Sequence, residues 1–518
     1  MSKITNKGLV WWQVMTVVCL LTACQTLPNT PHLPDSISLS KKTQTLAITA
    51  HHPLFAQLDS TAKQYPTLSG YRLIASGADA LLLRHELTDM AKHTIDIQYY
   101  IWHDDEAGIA MLKKLWQSAN RGVVVRLLLD DFRSTPALDQ LLLDFDAHPN
   151  IAVRLANPMV YRRFKRLNFL TLPVHANTRM HNKSMTFDRQ ISIIGGRNIG
   201  NEYLNSHKKN NFADLDVLLV GKTVADIHDS FEHYWHAATA FDVKTLVRPN
   251  KHTPSFEWTD QDTNQYQQGI FDHTANLSPK TGQLPLRWRM IKFFADDPTK
   301  LSNHADGQGL MVEQLREYIG QPKHHLSIIS SYFVPTKQGV QMLASLVKQG
   351  VKVSILTNAY SATDVHSVHS GYGHWRKALL MAGVQLYESK PDAINPTPPT
   401  PPTTMSLHAK AFAVDTQQVF IGSYNIDPRS ANTNSELGVV IDDDALATHF
   451  HHALNNLDTP NPTLLYQAYK VELDDKGHLQ WRTFENGQEI IHHKEPNMTW
   501  LQKSNVALLS ILPIDGLL

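Results

Sequence analysis

His181-Asn182-Lys183-Ser184-Met185-Thr186-Phe187-Asp188 is followed by Gly195-Gly196-Arg197-Asn198, and His408-Ala409-Lys410-Ala411-Phe412-Ala413-Val414-Asp415 by Gly422-Ser423-Tyr424-Asn425. Both stretches read H-x-K-x-x-x-x-D and then G-[GS]-x-N at matched offsets. Around Lys410 small and apolar residues alternate (Leu407, Ala409, Ala411, Ala413), which predicts a strand. Side chains two apart on a strand share a face, so His181 lies beside Lys183 and His408 beside Lys410. Each pair offers an imidazole that attacks or carries a proton near neutral pH, and a compact cation suited to a phosphate oxygen. Small residues after each Asp let backbone approach a ligand closely. Asn198 and Asn425 add amide donors. One such phrase would mean little; two, matched at the Asp, Gly and Asn, are hard to attribute to chance.

These residues resemble the paired HKD motifs of the phospholipase D superfamily. The wider wording, Arg179-Met180-His181-Asn182-Lys183 and Asn425-Ile426-Asp427-Pro428-Arg429-Ser430, is most similar to the bacterial cardiolipin synthase branch, type C. The resemblance runs from about Ala75 to the C-terminus. It implies an α/β fold of two tandem phospholipase D-like domains, each a mixed sheet flanked by helices. A pseudo-twofold would relate them, with the active site between.

Phosphodiester exchange without a metal needs a nucleophile, an acid for the leaving alkoxide and cations for the phosphate oxygens. Two His and two Lys supply this set. The resemblance implies His181 as nucleophile, forming a phosphatidyl-histidine, and His408 as acid and base. Lys183, Lys410, Asn198 and Asn425 would hold phosphate, and Asp188 and Asp415, though motif members, would hold structure. Gly196 stands where the second copy has Ser423, so the first site lacks a hydroxyl. An imidazole in either role needs its other nitrogen held by an acceptor. Asp214 and Glu436 fall at corresponding places after the two motifs and are expected to orient His181 and His408 respectively; the plainer reading is surface acids at strand starts.

The chain has 518 residues, 42% hydrophobic and 19% charged, enough for two or more domains with real cores. Lys+Arg and Asp+Glu both number 48. A nucleic-acid protein would show a basic excess, so neutrality argues against that class. The two cysteines, Cys19 and Cys24, sit near the start, so the body holds no disulfide framework and no cysteine metal site. Lys3 and Lys7 precede an apolar run from Leu9 to Leu21, the pattern of an export signal. Leu21-Thr22-Ala23-Cys24 resembles a bacterial lipobox, which implies cleavage after residue 23 and a lipidated Cys24. An uncleaved anchor is the alternative, but the run is short and Gln13 interrupts it. The resemblance places the protein in the bacterial cell envelope, on the periplasmic face of the inner or outer membrane.

Residues 24–48 read as a polar tether. The first domain is expected over 49–250, opening with broken helix from Leu54 to Leu87. Thr94 to Trp102 is β-rich, Ala107 to Asn120 has helical periodicity ended by Gly122, and Val123 to Leu129 is an apolar strand closing on Asp130 and Asp131. This is a βαβ unit. Residues 251–283 read as a loop or insertion, and the second domain as 284–458, reopened by one strand from Arg287 to Phe294. Leu326 to Phe333, Gly339 to Lys348, Gly350 and Val351 to Thr357 repeat the unit. Gly122 to Gly350 and His181 to His408 span the same offset to within one residue, as tandem copies require. Residues 388–404 include a Pro-rich loop. Residues 459–518 read as strands near Val471, Leu479 and Glu489 and a helix from Trp500 to Leu512.

Other histidines (His366, His369, His374, His451, His452, His492, His493) lack a carboxylate or Cys ligand pattern, so neither metal nor other cofactor is expected. His369, Tyr372 and Arg376 have helical spacing and resemble a family element near the headgroup. Tyr161-Arg162-Arg163-Phe164-Lys165-Arg166-Leu167 mixes cations with aromatics, which suits an anionic lipid interface; a solvated basic loop is the plainer reading. The expected function is phosphatidyl transfer making cardiolipin from phosphatidylglycerol and a second phospholipid, phosphatidylglycerol or phosphatidylethanolamine. The expected partners are phospholipids and, through Cys24, a membrane surface, with no nucleic acid. A phospholipase D hydrolase releasing phosphatidic acid and an exported HKD endonuclease are the rivals. A binding-only lipoprotein fits poorly with two complete motifs.

Overall fold

The computed structural model describes residues 52–204, 210–250, 284–302, 310–393, 404–457, 466–485 and 487–499, with 27–29, 32 and 279. Cys24, the Pro-rich stretch 395–402 and the helix expected from Trp500 lie outside the described residues.

The first half supplies β1 (Ser69–Ile74), β2 (Thr94–Tyr99), β3 (Val124–Asp130), β4 (Ile151–Ala156), β5 (Ser184–Phe187), β6 (Ile191–Gly195), β7 (Asn210–Ala213), β8 (Asp216–Gly221) and β9 (Ala240–Asp242). Together with β10 (Arg287–Arg289) they form a nine-stranded sheet, ordered β10-β1-β8-β6-β5-β2-β3-β4-β9, which β7 leaves. The centre, β2-β3-β4, is parallel, as the βαβ reading requires. Its strands are buried on both faces, so β3 reads Val-Val-Arg-Leu-Leu-Leu-Asp without alternation. Arg126 is tolerated inside that run because Asp96 and Glu232 each hold it at 2.7 Å.

The second half repeats the plan with β11 (Ile291–Ala295), β12 (His325–Ser330), β13 (Lys352–Asn358), β14 (Gln385–Ala393), β15 (Thr404–Leu407), β16 (Lys410–Val414), β17 (Gln418–Gly422) and β18 (Leu437–Asp442). Its centre, β12-β13-β14, is again parallel. Helices Glu106–Asn120 and Thr336–Lys348 are the first crossover of each half, each followed by a glycine with positive φ (Gly122, 97°; Gly350, 91°) that lets the chain turn into the next strand.

Two expectations change, and a third, the C-terminal strands, holds. The strand expected from Arg287 to Phe294 is two strands: β10 pairs with β1 in the first sheet, and β11 pairs with β18 in the second. The broken helix from Leu54 to Leu87 is helix Pro53–Gln64, strand β1 and helix Gly77–Met90. The C-terminal strands β19 (Tyr466–Leu473), β20 (Leu479–Glu485) and β21 (Gln488–His492) continue the second sheet beyond β14. No described helix is long and apolar enough to cross a membrane.

The halves are joined by apolar packing. Ile194, Val217 and Leu219 of the first sheet share one buried cluster with Ala411, Ile421 and Val439 of the second. Full burial of each such side chain is worth roughly 1.5–3 kcal/mol, so the two halves behave as one body.

Candidate active site

Two backbone junctions cross between the halves and place both histidines. β15 runs parallel to β7 with Leu407 opposite Ala213, so His408 arrives beside Asp214. Met180 bridges Ser435 in parallel, so His181 arrives beside Glu436. The His181 N–H donates to the Ser435 carbonyl at 2.9 Å and the His408 N–H to the Ala213 carbonyl at 2.7 Å.

The orienting acids are therefore crossed relative to expectation. His181 Nδ1 lies 2.8 Å from Glu436 Oε2, and His408 Nδ1 lies 2.5 Å from Asp214 Oδ2. The expected partners are exchanged because each acid directly follows the residue, Ala213 or Ser435, that pairs with the residue before the other half's histidine. Each imidazole thus takes its acceptor from the opposite domain. Sequence spacing within one repeat carries no trace of this.

The two acids differ electrostatically. Burial alone would raise Asp214, but His408 and Lys410 outweigh it and hold the carboxyl well below its usual range. Burial pushes Glu436 up to about 7, with Lys183 and the Ser423 hydroxyl, 2.5 Å away, only partly opposing it. Burial and Lys183 hold His181 well below its ordinary value; the charges of Lys410 and His408 add to this, so the two motifs face one another. His408 is lowered by burial and Lys410, while Asp214 pulls the other way. Burial lowers both lysines too. Two sequestered cations with like-charged neighbours are poised for an anion.

Lys183 donates to the His181 carbonyl at 2.7 Å and sits 5.3 Å from the Tyr100 ring; Lys410 donates to the His408 carbonyl and sits 5.8 Å from the Tyr332 ring. Asn198 Oδ1 accepts the Ile101 N–H, and Asn425 Oδ1 accepts the Ser331 hydroxyl. With both carbonyl ends tied, their NH₂ groups are the ends a phosphate can use.

Asp188 and Asp415 do not join the reacting set. Asp188 accepts the N–H groups of Lys92, His93 and Thr94 at 2.8–2.9 Å, and Asp415 those of Lys323, His324 and His325 at 2.7–3.1 Å. Each braces the entry of the neighbouring central strand. Asp188→Ala strands three donors and is expected to lower stability by about 2–4 kcal/mol. Thermal unfolding beside His181→Ala, which should shift little, checks this.

Gly196 has a different meaning from the expected missing hydroxyl. A Cβ there would stand 2.3 Å from Asp214 Oδ1, the acid that serves His408. Gly196→Ser should displace Asp214 rather than restore a hydroxyl, and cut turnover roughly 10–100-fold. Wild-type kcat in that variant would show the space is not needed.

Four residues escaped sequence reasoning. Asp130 and Asn358 end β3 and β13 and grip the backbone just before each histidine: Asp130 takes the Met180 N–H at 2.8 Å, Asn358 the Leu407 N–H at 2.9 Å. Tyr100 and Tyr332 follow β2 and β12 and carry their rings to His181 and His408, 4.9 and 6.3 Å between centroids. The available signal was repetition: a polar residue closing the second strand and a Tyr just past the first, in both copies.

His369, Tyr372 and Arg376 are buried in another network. His369 and Arg376 hold Glu495, at 2.6 and 3.0 Å, and Tyr372 and Arg376 hold Glu388, at 3.0 and 2.9 Å. These bonds tie β14 and the segment after β21 to helix His366–Met381, so the headgroup role has no support here. Two cations of the 161–167 segment are also occupied: Arg162 binds Asp131 and Asp139, and Lys165 binds the Asp131 and Ser134 carbonyls, whereas Arg166 is exposed. Among the described residues no cluster of His, Cys, Asp and Glu is arranged to hold a metal.

Residues 85–235 and 315–457, more than half of the chain, match the family described as "Cardiolipin synthase, PLD-like domain". Cardiolipin synthase C of Escherichia coli is 38% identical over 468 residues, spanning 88% of this chain and 97% of that protein. An uncharacterized Helicobacter pylori protein is 31% identical over 448 residues, spanning 83% and 86%. The crystal structure of phosphatidylserine synthase from Haemophilus influenzae superposes with a TM-score of 0.57 over 89% of this chain and 99% of that one. At 14% identity that likeness carries the fold alone.

Proposed function

The chain belongs to the cardiolipin synthase, PLD-like family, and from that premise we propose that it makes cardiolipin by phosphatidyl transfer between two phospholipids. The carrying observation is the pair of imidazoles, each with Nδ1 held by a carboxylate of the opposite half. That leaves one Nε2 to attack phosphorus and one to move a proton.

His181, held neutral, attacks the phosphorus of phosphatidylglycerol. The bond from phosphorus to the glycerol headgroup oxygen breaks, and His408 gives that oxygen its proton. Glycerol leaves, and the phosphatidyl group stays on His181. A hydroxyl of a second phosphatidylglycerol then gives its proton to His408 and attacks the same phosphorus. Cardiolipin forms and His181 is released. With phosphatidylethanolamine as donor, ethanolamine leaves instead. Lys183 and Lys410, with Asn198 and Asn425, neutralise the phosphate oxygens. The assignment of acid to His408 rests on Asp214, a full anion that favours a protonated partner, whereas Glu436 is pushed toward its neutral form.

We also propose an envelope lipoprotein, anchored through a lipidated Cys24 after cleavage of residues 1–23, facing the periplasm. The support is the sequence of that segment. Cys24→Ser should abolish incorporation of labelled palmitate and release the protein from the membrane fraction.

The deciding assay uses full-length protein in mixed micelles with EDTA and labelled phosphatidylglycerol, with and without phosphatidylethanolamine. Labelled cardiolipin is the expected product. Phosphatidic acid alone would make water the acceptor and the protein a hydrolase. DNA cleavage without lipid turnover would overturn the reading.

A further inference from the structure

Phe164, Phe169, Leu170, Leu172 and Val174 make up five of the eleven large apolar side chains exposed among the described residues; the other six are scattered singly along the rest of the chain. Leu170 is 81% exposed and Phe164 63%. Singly exposed apolar residues are ordinary, but a contiguous group marks an interaction surface.

The segment is held with this face outward. Arg162 and Lys165 fold back onto Asp131, Asp139 and two carbonyls, so these two cations point into the protein, while Arg166 stays exposed beside the apolar side chains. Asn168, fully buried, bonds both the N–H and the carbonyl of Tyr161 and anchors the turn from beneath.

The patch is also continuous with the reaction centre. Phe169 meets Phe132 edge-on at 6.2 Å, Phe132 stacks on Tyr100 at 6.0 Å, and Tyr100 meets His181 at 4.9 Å. This ring ladder leads from the surface to the nucleophile. A phosphatidyl group on His181 brings two acyl chains to a side chain only 7% exposed. Those chains need an apolar way out, and the ladder is one.

We propose that residues 164–174 form the docking surface for the phospholipid bilayer, with acyl chains of the donor lipid running along Phe169, Phe132 and Tyr100 to His181. This rests on the phosphatidyl-transfer reading above. The surface dips into the interface while its lipid is drawn toward the first-half histidine, which gives the two otherwise similar halves different tasks.

The test compares wild type with Leu170→Glu/Val174→Glu, both in full-length protein. These side chains are exposed and no ring contact depends on them, so the variant should fold. Turnover is measured on monomeric short-chain phosphatidylglycerol and on long-chain phosphatidylglycerol vesicles. The ratio of vesicle to monomer turnover should fall tenfold or more, and Met381→Glu, exposed on another helix, should leave it unchanged. An unchanged ratio in the double variant would overturn the proposal, as would an equal fall with Met381→Glu. Failure of the functional reading shows differently, as no turnover of either lipid by wild type. Co-sedimentation with the same vesicles then still judges the surface: the double variant must bind at least tenfold more weakly than Met381→Glu, or the surface is refuted.

Discussion

Alanine at His181 or at His408 is expected to reduce cardiolipin formation by roughly 10⁴-fold or more, and the double variant should be little worse than either single. Members of one catalytic unit fail together, because neither half-reaction proceeds without both. The two variants separate when the lipid carries a nitrophenyl leaving group, which needs no proton. His408→Ala should then release about one equivalent of nitrophenol per protein in a burst and stall with phosphatidyl on His181. His181→Ala should give no burst. The reverse pattern would exchange the two roles.

The second large effect comes from the crossed acids. Asp214→Asn, a change in the first half, should disable the proton transfer run by His408 of the second half and lower turnover roughly 10²–10⁴-fold. The nitrophenyl burst should survive. Removing the Asp214 charge takes away what opposes burial and Lys410 at His408, so the His408 pKa falls further. The alkaline limb of the kcat profile, where the acid loses its proton, should therefore move to lower pH. Glu436→Gln should instead weaken the burst. His181 is already neutral near pH 7, whereas Glu436, at about 7, must ionise to accept its Nδ1 proton. The wild-type burst rate should accordingly rise with pH through about 7, and that rise should vanish in Glu436→Gln. If Asp214→Asn abolished the burst and Glu436→Gln spared it, pairing within each half would be correct and the crossed contacts irrelevant to catalysis.

Much of this was legible in the chain. The repeated His-x-Lys phrase, with Asp and Asn at fixed distances, named eight of the residues that line or brace the site. The second βαβ unit, offset from the first by the same interval as the histidines, showed the tandem sheets. Periodicity places a residue on a face of its own strand, and these readings asked no more than that. It failed at Arg287 to Phe294, where one apolar run bends at Met290 between two sheets. It also failed at two residues of the 161–167 segment, where Arg162 and Lys165, which read as solvent-facing, turn inward to Asp131 and Asp139.

The sequence by itself determined the chemistry on offer: two imidazoles, two ammonium groups and two later acids. These are local facts, set by spacing along one element. Which acid serves which imidazole belongs to the junctions β7 with β15 and Met180 with Ser435, where residues 194 and 255 apart meet across the interface. The inequality of the two acids is also tertiary. Both are buried carboxylates, yet His408 and Lys410 hold Asp214 anionic, whereas burial, only partly opposed by Lys183, pushes Glu436 toward neutrality. Two copies of one phrase thus become unlike sites, because a carboxyl's proton affinity is set by its three-dimensional surroundings and not by its place in the chain.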